Sequence, residues 1–319
     1  MRDLTPLPGC PRDQQVFIWS NGSVEAAFLP AAGGRLLSLA VGGERLLWVS
    51  PEHFGPDLTP LTDRKDWPAL DGTQASWSNL GGAKTWPAPQ GWSGPGEWPG
   101  PPDGVLDSGG YTLAVEPRAA STRVIMTSAA DRRTGLVIRR RFDLPDSGSA
   151  FSQTTTFTNV STSPRSWAIW EVCQLDSAPG GGRPAQVLIE SAPAPPARVM
   201  LSAWGRADPP AWRDGAHRLD LTTQVAKYAF PGASGRARFS HRSGAGLTLA
   251  HQVWPGATYP DQGARFELWA QCPIPHPLPD LGNLQPAAWY AELEPLGPLV
   301  RLAPGQSTEL VLHWTCHQV

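Results

Sequence analysis

Nowhere does this chain keep apolar residues at helical spacing for more than two turns before a proline or glycine intervenes. Proline removes a backbone donor and glycine weakens the interior of an element, so 35 prolines and 33 glycines exclude long helices here. Between them lie short apolar or alternating runs. From Val16 these are VFIWS, VEAAFLP, GRLLSLAV and ERLLWVS, with Gly42-Gly43 supplying a tight turn. Further runs start at Tyr111 (YTLAVEP, RVIMTSAA, TGLVIRRRFDLP, AFSQTTTFTNVS, RSWAIWEVCQL) and continue to STELVLHWTC near the end. The pattern predicts roughly 16 strands and almost no helix. Its uniformity predicts a single all-β domain over residues 1–319, made of packed antiparallel sheets.

Two stretches break the rhythm. Residues 177–215 are irregular but keep buried-looking runs such as VLIE and RVMLSAW. The other, at about 51–110, is a long insertion rich in Trp, Pro and Gly, and a connection of that length is usually functional. Its centre, SNLGGAKTWPAPQGWSGPGEWP over Ser78–Pro99, carries Trp86, Trp92 and Trp98 with Lys84, Glu97 and the pair Gly81-Gly82. The glycines and prolines predict a shaped loop rather than a regular strand. Three indoles are costly to leave in water, so the loop must fold over something. It is either a lid on the β-core or one wall of a ligand pocket, where indole faces stack on the C–H faces of a sugar and Lys84 and Glu97 take its hydroxyls.

Charge narrows the partners. Lys and Arg total 26 against 28 Asp and Glu, a net charge of −2, which leaves no basic field for nucleic acid. No run approaches a membrane span and the first residues carry no apolar leader, which predicts a soluble, cytoplasmic protein with no membrane partner. Cys10, Cys173, Cys272 and Cys316 are scattered, with no CxxC pair, and are expected as free thiols. No HxxxH, phosphate loop, EF-hand or Ser-His-Asp order is present, so neither a metal nor a cofactor is expected and the partner is a small molecule.

Counting by twos places side chains on strand faces. In ARFELWAQ, Glu267 and Trp269 share a face with Arg265 and Gln271, which is either a sugar-binding surface or a partly solvated sheet face. In WYAELEP, Tyr290, Glu292 and Glu294 share a face; two such carboxylates suit a tuned general base or an ion pair. In RSWAIWEVCQ, Trp167, Ile169 and Glu171 lie on one side and Trp170 on the other. Glu171, and Lys227 in QVAKYAF, need partners if buried, whether protein or ligand. Among the histidines His251 is the best candidate acid or base, between an apolar strand and Trp254, with a structural role as its alternative.

Three segments together resemble the galactose mutarotase (aldose 1-epimerase) superfamily: AAGGRLLSLAVGGERLLWVSPE, NLGGAKTWPAP and AELEPLGPLVRLAPGQSTELVLHW. The likeness runs from about Val16 to Trp314 and is strongest to a branch with a GGxKxWPxP motif. It implies a β-supersandwich with a carbohydrate cleft across one concave sheet. It also implies a glutamate, here Glu294 of Glu294-Pro295, that takes the anomeric hydroxyl proton. The superfamily's Asn-x-x-His-Gly-Gly motif is represented by Asn79-Leu80-Gly81-Gly82 without a histidine, and the second histidine position by Trp170 and Glu171. Lys84, Glu171 or His251 would then replace the acid. The resemblance implies a carbohydrate-binding protein with three functions open: an epimerase of an unusual or acidic sugar, an aldose 1-epimerase with a displaced acid, or a non-catalytic sugar sensor or lectin. Glu294 and His251 would be catalytic; Lys84, Trp86, Trp170, Glu171, Lys227, Glu267 and Trp269 would bind the substrate.

Overall fold

The computed structural model describes residues 3–73, 76–91, 94, 96–180 and 182–318. Trp92 lies outside the described residues. Two antiparallel sheets hold nearly all the strands. The larger runs in the spatial order β1 (Thr5–Pro6), β2 (Phe17–Ser20), β3 (Val24–Leu29), β4 (Arg35–Val41), β6 (Ala83–Ala88), β11 (Arg165–Asp176), β20 (Tyr290–Pro295), β19 (Phe266–Gln271), β16 (Val225–Ala229) and β13 (Arg198–Trp204). The short β5 (Glu44–Arg45) pairs with β4, and β21 (Val300–Leu302) pairs with β11. The smaller sheet runs β14 (Trp212–Arg213), β15 (Ala216–Asp220), β12 (Gln186–Ser191), β17 (Ala233–Ser240), β18 (Gly246–His251), β22 (Ser307–His317), β10 (Ala150–Asn159), β9 (Leu136–Pro145), β8 (Ser121–Thr127) and β7 (Thr112–Pro117).

Strict alternation builds the shared core. Along β9, Leu136, Ile138, Arg140, Phe142 and Leu144 are buried while the residues between them are half-buried. Along β22 the inward set is Leu310, Leu312, Trp314 and Cys316. These meet the inward residues of the larger sheet: Phe28 of β3 packs edge-on against Phe142 with centroids 5.1 Å apart, and both belong to one continuous apolar cluster. The four cysteines are free. Among the described residues no helix is long and apolar enough to cross a membrane.

The larger sheet differs from the smaller because its middle strands are buried on both faces. All six residues of β6 and all six of β20 are buried. The second face is covered at each end by a separate apolar cluster. Phe54, Leu58 and Leu80 pack over Leu29 and Leu37 at one end; Cys272, Ile274 and Leu278 pack beside Val225 at the other. The strands between these covers carry polar residues.

The segment expected as an irregular loop contains a strand, β6, at the middle of the larger sheet between β4 and β11. Proline is tolerated there because Pro87 lies opposite Ile169, whose carbonyl accepts instead from Gly297 N at 2.8 Å, so no ladder bond is missed. Gly81 and Gly82 lead into it with φ of 89° and 74°. A Cβ on Gly82 would lie 2.6 Å from the Leu36 carbonyl, so only glycine lets the chain enter between its neighbours. Lys84 and Trp86 therefore stand on a sheet face, not on a loop.

Candidate functional site

On the covered face of the larger sheet, five adjacent strands aim polar and aromatic groups the same way. Strand β6 contributes Lys84 and Trp86, β11 contributes Trp170 and Gln174, and β20 contributes Tyr290, Glu292 and Glu294. Strand β19 contributes Glu267, Trp269 and Gln271, and β16 contributes Lys227. Register sets the neighbours: Trp86 lies opposite Trp170, Glu294 opposite Glu267, and Lys227 opposite Trp269. The Lys227 ammonium sits 2.8 Å from Glu267 Oε2 and 3.1 Å from Glu294 Oε2, and 4.5 Å from the centroid of the Trp170 ring. Trp170 Nε1 donates to Glu294 Oε2 at 2.7 Å, and Gln174 Nε2 donates to Glu292 Oε1 at 2.7 Å. Tyr290 accepts from Asn79 Nδ2 at 3.1 Å and packs against Trp48.

Lys84 is fully buried beside this cluster. Among the described residues its Nζ has no hydrogen-bond partner; it lies 4.5 Å from the Trp86 centroid, 5.0 Å from that of Trp77 and 3.9 Å from Glu292 Oε1. Burial, with Arg35 adding to it, lowers its pKa to about 8 against the pull of Glu292, Asp107 and Glu294. Asp107 fixes the indoles around it. Its Oδ1 accepts from Trp86 Nε1 at 3.1 Å and its Oδ2 from Trp77 Nε1 at 2.8 Å, while Arg35 closes on Oδ1 at 2.9 Å.

Glu294 is fully buried, and its Oε1 has no donor among the described residues. Burial raises its pKa; Lys227 opposes this, and Glu267 and Glu292 raise it further, so the group stays above the ordinary carboxylate range. For Lys227 burial works against the charged form, but Glu267 and Glu294 outweigh it and hold the ammonium above the usual lysine value. The result is a buried row of alternating charge in which Glu294 keeps its proton to higher pH than a solvated glutamate.

The structure brings together Lys84, Trp86, Trp170, Lys227, Glu267, Trp269 and Glu294. It does not bring Glu171 or His251 to them. Glu171 has the opposite parity to Trp170 on β11, so it points between the sheets, where it accepts from Thr85 Oγ1 at 2.9 Å and Thr155 and pairs with Arg140 at 3.4 Å. His251, on β18 of the smaller sheet, packs on the Phe266 ring at 4.9 Å, and Phe266 alternates with Glu267 on β19. Burial lowers its pKa to about 4, against the Leu296 backbone. Both lie behind the sheet from Glu294. Asp107 and Gln174 lie with these residues without having been singled out from sequence, and Asn79, named there only as part of the Asn79-Leu80-Gly81-Gly82 segment, joins them through Tyr290. Gln174 shares the parity of Trp170, a signal the strand pattern carried; Asp107 sits in a loop with no spacing to mark it.

No protein-family model matches the chain, and no curated protein matches it in sequence. Solved structures match it in shape. A putative mutarotase from Salmonella typhimurium superposes with a TM-score of 0.62 at 12% identity, over 96% of this chain and 91% of that one. A galactose mutarotase-like protein from Lactobacillus casei gives 0.57 at 12% identity, over 95% and 100%. A TPR-domain containing protein from Parabacteroides distasonis gives 0.62 at 14% identity; the match takes in 99% of this chain but 53% of that one, so the chain spans about half its length. The chain has the galactose mutarotase-like β-sandwich fold that the resemblance implies, built of the antiparallel sheets that its strand pattern predicts.

Proposed function

We propose that the covered face of the larger sheet binds a sugar and that the chain interconverts its anomers, with Glu294 as the base. One observation carries this. Lys84 Nζ is a buried donor without an acceptor, and Glu294 Oε1 is a buried acceptor without a donor. They project from strands β6 and β20, which flank β11, with Trp86 and Trp170 packed edge-on at 5.3 Å between them. An unmet buried polar group costs about 1–3 kcal/mol, and sugar hydroxyls would satisfy both while the indoles cover C–H faces.

Charge favours a neutral over an acidic sugar. Glu267, Glu292 and Glu294 outnumber Lys84 and Lys227, and Lys227 is already closed on two of the three. In the reaction the Glu294 carboxylate would take the anomeric hydroxyl proton, steered by Lys227 and Trp170 at its other oxygen. The test is polarimetry of freshly dissolved α-aldoses with and without protein. Faster equilibration that Glu294→Gln abolishes supports the reading; no acceleration with any neutral aldose overturns it.

A non-catalytic sugar sensor is the second reading. It is favoured by the neutralisation of Glu294 Oε2 by both Lys227 and Trp170, which weakens a base. Saturable quenching of tryptophan fluorescence by a sugar that the protein does not equilibrate would select it.

A further inference from the structure

Ring opening of an aldose needs an acid as well as a base. The C1–O5 bond breaks as the O1 proton leaves, and O5 must gain a proton to depart as a hydroxyl. Both oxygens are bonded to C1, so the donor has to stand beside Glu294, not across the sheet from it. Directly opposite Glu294, across β19 and β20, is Glu267. Side chains so paired lie within about 5 Å at Cβ. Glu267 does not stand alone, because the Asp261 carboxyl hydrogen-bonds to it.

Asp261 arrives there on an unusual piece of backbone. In the single turn Pro260–Gly263, Asp261 and Gln262 take left-handed φ/ψ of 50°/48° and 59°/38°. Consecutive left-handed residues other than glycine are disfavoured because Cβ crowds the following carbonyl. The turn is held in place by several contacts. Ala264 N donates to Pro260 O at 2.9 Å, while Arg198 on β13 donates to Gln262 Oε1 at 2.6 Å and to Asp261 O at 2.7 Å. Strain that the surroundings over-determine in this way collects at functional sites.

Two carboxyl groups in hydrogen-bond contact hold a proton between them, since neither donates when both are ionised. The charged groups facing the pair are Lys227 from β16, Arg198 from β13, and Glu294 and Glu292 from β20. Lys227 closes on Glu267 at 2.8 Å and on Glu294 at 3.1 Å, and the proton of the pair is assigned to Asp261. Burial pushes the Asp261 carboxyl up to about 7, with Glu267 reinforcing it and Lys227 and Arg198 opposing. Asp261 is half-buried where Glu267 and Glu294 are buried, so it stands at the open edge of the cluster.

We propose that Asp261 and Glu267 form a proton-sharing carboxyl pair, set by the strained Pro260–Gly263 turn, that protonates the sugar's ring oxygen while Glu294 takes the anomeric hydroxyl proton. This rests on the epimerase reading and supplies the acid that the histidine positions lack. Electrons balance. The O1–H pair forms the C1=O1 double bond, the C1–O5 pair takes the Asp261 proton, and Glu294 ends protonated. Closure on the opposite face of C1 reverses both transfers: O1 takes its proton back from Glu294, and O5 returns its proton to Asp261.

The test compares wild type with Asp261→Asn and Glu294→Gln on a neutral aldose that the wild type equilibrates. Asp261→Asn should cut kcat by about 10²-fold, the lower end of general acid help. It should leave sugar affinity by tryptophan fluorescence within a few-fold and abolish the alkaline fall of the pH–rate profile. Wild-type-minus-variant infrared difference spectra should show a protonated carboxyl lost in Asp261→Asn and distinct from the one lost in Glu294→Gln, and circular dichroism should show both variants folded. If Asp261→Asn keeps wild-type kcat and the alkaline fall, or loses no carboxyl band of its own, the carboxyl pair is overturned while the loss in Glu294→Gln still supports the epimerase. If the wild type equilibrates no aldose, proton donation and the epimerase reading fall together.

Discussion

Glu267 and Glu294 face each other across β19 and β20, and one ammonium, Lys227, closes on both at 2.8 Å and 3.1 Å. Two buried carboxylates thus share a single counter-charge, and removing it strands both. Lys227→Met should lower stability by about 3–5 kcal/mol, the usual cost of breaking a buried pair from one side. Urea denaturation at pH 7 measures it. A loss below about 1 kcal/mol would mean that the glutamates are solvated and that the charge row is not a built feature.

Replacing Glu294 by glutamine separates binding from chemistry. The amide keeps the shape and can still accept from Trp170 Nε1, which lies 2.7 Å from the carboxylate oxygen it replaces. Sugar binding should therefore persist within a few-fold, while anomer interconversion falls by about 10²–10⁴-fold, the contribution of a general base. Polarimetry and fluorescence titration on one protein sample give both numbers. Equal losses in both would assign Glu294 to binding alone.

Much of this site was visible in the sequence because a strand's side chains alternate. Parity alone put Tyr290, Glu292 and Glu294 on one face, Glu267 with Trp269 on another, and Trp170 opposite Glu171. Parity does not say which face meets the second sheet; Arg140 of β9, paired with Glu171, shows that the Glu171 face does. His251 failed for a related reason: the sequence places it near Trp254 but does not reveal that its strand belongs to the smaller sheet. Strand β6 was hidden because Pro87 and the Gly81-Gly82 pair signal a loop. The Gly297 N–H that takes the Ile169 carbonyl opposite Pro87, and the tight approach at Gly82, make a strand possible there. Asp261 was illegible because its position depends on two left-handed residues that carry no sequence mark.

Lys84 gives a prediction whose sign depends on pH. Its pKa is lowered from 10.5 to about 8 in the folded state, mainly by burial, so between those values the unfolded chain holds more protons. Stability contributed by this residue therefore rises with pH through that window, and below it the folded state bears the whole burial cost, roughly 3 kcal/mol. Lys84→Met should be at least as stable as wild type at pH 7, and the two should converge as pH rises from 8 toward 10.5. Urea midpoints across that range test it; a wild type more stable than Lys84→Met at pH 7 and growing less so at high pH would show that Glu292 outweighs burial.

His251 titrates on the acid side. Its pKa is lowered from 6.5 to about 4 by burial against Phe266, so as pH falls through that interval the unfolded chain takes up a proton that the folded protein refuses. Stability is thus lost progressively below 6.5, and the loss is complete at roughly 3 kcal/mol once pH is under 4. His251→Gln carries no such proton. Between pH 7 and 4.5 the wild type should lose about 2–3 kcal/mol more than this variant in urea titrations, with the carboxylates common to both proteins cancelling in the difference. Parallel pH dependences would place His251 in contact with water and reopen the question of whether it, and not a carboxyl on the far side of the sheet, moves the second proton.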